Sequence, residues 1–142
     1  MSLIAIALAA LALTQPAPDT GVDIAGFRGE CSLTTAGKTV ACDSLIYMHF
    51  KKNGRTNFGV VLGEDRMTSF SGGKDNQPKP TEYWLEVDRL LLGVGSEVTE
   101  APGKGRCDLN LSESGDVIHK LVCTATTKDG VVELKFSGKR TN

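Results

Sequence analysis

No run of five like charges occurs anywhere in this chain, which removes a large class of partners at once. The 16 Lys and Arg and the 17 Asp and Glu are interspersed, for a formal net charge of -1. Such a surface has no basic strip to track a phosphate backbone or an anionic membrane, so no nucleic acid is expected as a partner. No Cys-x-x-Cys pair is present, so the four Cys lack the usual spacing of a zinc site. No Ser sits in a Gly-x-Ser-x-Gly elbow. Ser71-Gly72-Gly73-Lys74 lacks the first Gly and the following helix of a phosphate loop. The two His, His49 and His119, lie far apart in strand-like sequence without a partner motif, and alternation with Val117 and Leu121 would turn His119 inward. Nothing here calls for a metal or cofactor, and an enzyme is not the expectation.

Long apolar runs are also missing, with one exception. Residues 3–13, LIAIALAALAL, are unbroken apolar sequence, too short to cross a bilayer as a helix. The length suits the apolar core of a secretory signal peptide, although no Lys or Arg precedes it. Small residues around Ala10, Ala12 and Thr14 offer cleavage points before a Pro-rich break. The expectation is a signal peptide and linker over residues 1–20 and one domain over 21–142, periplasmic or secreted, with no membrane contact after cleavage.

What is present is a repeat. GECSLTTAGKTVAC, residues 29–42, is echoed by GRCDLNLSESGDVIHKLVC, residues 105–123. Each copy opens Gly-x-Cys-x-Leu, turns at a Gly (Gly37, Gly115) and closes on Val-x-Cys or Leu-Val-Cys. Four Cys in an exported domain imply two disulfides, and four Cys allow about three connectivities. If each copy is a hairpin, the pairs are Cys31 with Cys42 and Cys107 with Cys123. A disulfide hairpin in each half would suit a pseudo-two-fold arrangement.

The remaining sequence reads as short strands. Within residues 38–50, Ser44, Ile46, Met48 and Phe50 share one face and Leu45, Tyr47 and His49 the other, so this strand should be central. Asn53-Gly54 predicts a type I′ turn. Residues 93–104 read as a Gly-rich connection holding a short strand at 97–100, and residues 72–81, GGKDNQPKPT, as the one real loop. The sum is an all-β fold of about eight to ten short strands, an antiparallel sandwich or small barrel with a duplicated disulfide hairpin.

Candidate sites gather around that loop. Alternation along EYWLEVDRLLL turns Tyr83, Leu85 and Val87 inward and leaves Trp84, the only Trp, outward beside Glu82, Glu86 and Asp88. A Trp flanked by carboxylates and a polar loop suits a sugar or peptide surface. Lys74, Asn76, Gln77, Tyr83 and Trp84 are therefore the expected contact residues, for a protein or carbohydrate ligand. Glu86 and Asp88, two apart on one face, have a spacing that would suit a hydrolase pair.

Two Cys-closed hairpins in one chain resemble the cyanovirin-type lectins, although residues 43–106 separate the copies here. Ser71-Gly72 ahead of Tyr83-Trp84 is similar to the Ser-Gly loop of periplasmic lysozyme-inhibitor barrels. Neither resemblance transfers a site residue. The leading expectation is an exported, non-enzymatic binding domain. An inhibitor of a cell-wall hydrolase or protease, using the loop as a plug, is the alternative, and a hydrolase on Glu86 and Asp88 the second.

Overall fold

The computed structural model describes residues 21–141. The apolar run at 3–13 and its expected signal function lie outside them. The described residues form ten strands and no helix: β1 (Val22–Thr35), β2 (Lys38–Ala41), β3 (Ser44–Phe50), β4 (Arg55–Val61), β5 (Arg66–Gly72), β6 (Lys74–Lys79), β7 (Glu82–Val94), β8 (Glu97–Leu111), β9 (Val117–Thr127) and β10 (Gly130–Arg140). Neighbours run β1-β3-β4-β5-β7-β8-β9-β10, all antiparallel, and β10 pairs back onto β1. The result is an eight-stranded up-and-down barrel. Closure leaves no free edge on those eight strands.

Period-two alternation is what fills it. Leu33, Leu45, Phe58, Phe70, Leu85, Cys107, Leu121 and Leu134, one from each barrel strand, are all 0–3% exposed. Burying each aliphatic or aromatic side chain contributes about 1.5–3 kcal/mol. This packed waist separates two mouths. The near mouth is ringed by the loops at 51–54 and 112–116, the β6–β7 turn and the end of β10. The far mouth is ringed by the turns at 36–37, 62–65, 95–96 and 128–129.

Two strands lie outside the closed circuit. β2 continues beyond β3 along the far half of β1. β6 continues beyond β5 along the near half of β7, so residues 72–81 are no loop. Their Gly-Gly and two Pro obscured the strand. Gly72 is where β5 passes into β6 close against β7: a Cβ there would collide with the Glu86 carbonyl. Pro78 is tolerated because the other edge of β6 has no partner strand.

Local expectations fare unevenly. Cys31–Cys42 and Cys107–Cys123 are the disulfides, each across its own hairpin. The two hairpins do not occupy opposite halves, however. Phe136 on β10 pairs with Cys31, and Leu134 two residues away pairs with Cys123, so both hairpins flank β10. In a closed meander the first and last strands are neighbours, which puts them there. The left-handed two-residue turn falls at Ala36 (φ 50) and Gly37 (φ 80). At Asn53-Gly54 only Gly has positive φ, and the loop spans four residues between Phe50 and Arg55. Residues 97–104 belong to one long β8. His119 is exposed, because the β8–β9 register slips between Asn110 and Leu111 and the extra residue turns Ile118 inward instead.

Candidate functional site in the near mouth

Above the waist the near mouth keeps a cavity of about 230 Å³. Phe27, Phe58, Leu109 and Ile118 form its apolar floor, and Tyr47, Tyr83, Gln77 and Arg140 supply polar groups. Alternation explains the set: Phe27 from β1, Tyr47 from β3, Phe58 from β4, Tyr83 from β7 and Leu109 from β8 are all on inward positions. One wall is a three-ring stack, with Phe58 5.6 Å from Tyr47 and 6.0 Å, edge-on, from Tyr83.

Two side-chain hydrogen bonds lie near the rim. The Tyr83 hydroxyl donates to Asp75 Oδ2 at 2.6 Å, which ties β6 to the mouth. Thr56, fully buried, draws the Tyr83 pKa down. His49 Nδ1 lies 2.9 Å from Thr56 Oγ1. Burial, reinforced by the bond to Asp75, nevertheless holds the Tyr83 hydroxyl far above its ordinary pKa of 10.0. Tyr47 is raised by burial and by the charges of Asp23 and Asp75. Both tyrosines therefore stay neutral; Tyr83 gives its one proton to Asp75, which leaves Tyr47 as the phenolic donor for a ligand that is apolar in body and accepts hydrogen bonds at its head.

Nothing known matches. No family model, curated protein or solved structure shows significant similarity to this chain. The site has to be read from its own geometry.

The five expected contact residues are divided by the sheet. Gln77 and Tyr83 line the cavity. Lys74, Asn76 and Trp84 project from the opposite face, with Asn76 paired to Trp84 and Trp84 to Asp108 across neighbouring strands. Trp84 is half-buried, covered by the Arg106 guanidinium 4.8 Å from its ring, and Arg106 Nε donates to Asp108 Oδ1 at 2.8 Å. It is neither a free platform nor a core ring. Glu86 and Asp88 project outward too and line neither mouth. Asp88 is held bidentately by Arg55, at 2.5 and 3.1 Å. Among the described residues no three His, Cys, Asp or Glu converge as a metal site requires.

Thr56, His49 and Asp75 were missed in the sequence. Asp75 and Gln77 come into phase with Tyr83 only when 74–79 is a strand. Thr56 and His49 meet only through the β3–β4 pairing, which places them opposite each other.

Proposed function

We propose that this chain is an exported, non-enzymatic binding domain that holds a small ligand in the near mouth. The apolar body of the ligand would lie on Phe27, Phe58, Leu109 and Ile118. Its polar head would meet Tyr47, Gln77 and Arg140 at the rim. The single observation behind this reading is the cavity of about 230 Å³ with an apolar floor and a hydroxyl rim, at an end of the barrel that the waist seals from below. Eight-stranded barrels are just wide enough to hold one small ligand in this way. Export is supported by two disulfides, which persist in oxidising compartments, and by the apolar run at 3–13.

The test is a titration of the purified protein with small ring compounds bearing one polar group, such as phenols, aromatic amides and monosaccharides. Methyl resonances of Leu109 and Ile118 should shift on binding, and those of Leu62 and Leu92 should stay. A set of such compounds that leaves Leu109 and Ile118 unmoved contradicts the proposal.

The inhibitor reading keeps one observation of its own. All six residues of β6 are exposed and its outer edge is unpaired, with Pro78 and Pro80 stiffening the approach to the turn. A hairpin of this kind suits insertion into a partner's cleft. Mass spectrometry of proteins retained by the immobilised domain, compared with a domain lacking residues 75–80, separates the two readings: a partner lost with the hairpin favours the inhibitor.

A further inference from the structure

We propose that the far mouth is a second and separate binding site, for a single-chain anionic amphiphile. Its aliphatic tail would lie in the groove between β2 and the start of β5, with its head held by Lys38 and Arg66. The proposal does not rest on the near-mouth reading, because the packed waist of Leu45, Phe58, Phe70 and Leu85 closes the barrel between the two ends.

The groove measures about 600 Å³, and its apolar lining is Leu33, Val40, Leu62 and Leu92. It exists because β2 turns off along β1 after the Ala36-Gly37 turn and pairs on one side only. Leu33 and Val40 are directly paired on the inward face, as are Thr35 and Lys38. Thr35, Thr68 and Leu92 also line a neighbouring, smaller cavity of about 150 Å³, bounded by Leu90, Ala101 and Val132. Lys128 and Asp129 stand on its rim.

Charge selects the head. Among the described residues, Lys38 and Arg66 are the only ionisable groups lining the larger groove. Among the described residues neither takes part in any of the ion pairs, which lie elsewhere on the barrel. Two cations over an aliphatic trough are complementary to a carboxylate or phosphate carried on a hydrocarbon chain. The surroundings fit the tail: Val40, Leu92, Val94, Val98 and Val131 are all exposed and all at this end, whereas among the described residues the near end has only Ile24.

The experiment is calorimetric titration of the purified protein with dodecanoate, dodecyl phosphate and dodecanol, each below its micelle concentration. Methyl resonances are followed in parallel. The expected result is saturable binding of one or both anions, with shifts at Val40, Leu62 and Leu92 and none at Leu109 and Ile118. Lys38→Ala and Arg66→Ala should each weaken the anions about tenfold or more and leave dodecanol unchanged. Both side chains are exposed, so neither change threatens the fold. Preference for dodecanoate identifies a free carboxylate as the head, and preference for dodecyl phosphate a phosphorylated one; either supports the site. The proposal is overturned if neither anion binds, if the shifts fall at the near mouth, or if affinity is indifferent to both cations. Retention on anionic phosphatidylglycerol vesicles without uptake of the monomeric amphiphile also overturns it, and would make this end a membrane-docking tip instead.

Discussion

Ala36 occupies left-handed backbone, at φ 50, and is the only non-glycine residue with positive φ among those described. That conformation costs an ordinary L-residue about 1–2 kcal/mol. Asn adopts it more readily and is preferred before Gly in this turn. Ala36→Asn should therefore raise stability by roughly 0.5–1 kcal/mol in urea melts, and no gain would mean that the turn relaxes in solution. Trp84 poses the opposite question. Half-buried under Arg106, it should lose about 1–2 kcal/mol on Trp84→Ala, more than a bare surface ring but less than a core aromatic. A loss of about 3 kcal/mol or more would place the ring in the core. The opposite directions of Tyr83 and Trp84 were legible from alternation alone. The exposure of His119 was not, because one bulge between Asn110 and Leu111 reverses the phase and leaves no composition signal.

Among the elements, β6 decides how the site is read. Among the described residues it has one pairing partner, no buried residue, and a single side-chain tie to the mouth, Tyr83 to Asp75. Tyr83→Phe should leave the barrel folded and speed amide exchange across residues 74–79, with little change in β8 and β9. Unchanged exchange there would show that the backbone pairing with β7 alone holds the strand. The tyrosines also set a pH dependence. The pKa values of Tyr47 and Tyr83 are raised in the folded protein, so the unfolded chain loses those protons first as pH passes 10.0. Their contribution is thus present in full below that pH and declines above it. Urea midpoints taken on either side of pH 10 should fall, and fall less in Tyr47→Phe and Tyr83→Phe. Most strands were legible because their apolar residues alternate. β6 was not: a strand whose residues are all exposed, that holds one Pro and is flanked by Gly72-Gly73 and Pro80, has the composition of a loop. Only its pairing with β7 makes it a strand.

At the scale of the whole molecule, the two disulfides lie on either side of the closing strand, one joining β1 to the end of the β2 hairpin and the other joining β8 to β9. Both flank β10, the strand that closes the barrel on β1. Substituting Cys107→Ser with Cys123→Ser should cost about 2–5 kcal/mol. Non-reducing peptide maps should show only the pairs within each hairpin. The repeat made those pairs readable, whereas the adjacency of the hairpins depends on closure, a long-range property that no local pattern encodes. The proposed export makes its own prediction: N-terminal sequencing of protein recovered from the exported fraction should begin between residues 13 and 20, and a sequence starting at Met1 would contradict it. The central claim is that the near mouth holds a ligand. Its most direct test is native mass spectrometry of the protein isolated from its own compartment, beside a Leu111→Trp variant. Leu111 is half-buried on the cavity wall, so an indole there fills the space without entering the waist. The account predicts a small-molecule adduct on the unaltered chain that is lost in the variant. An adduct carried equally by both, or by neither, would contradict it.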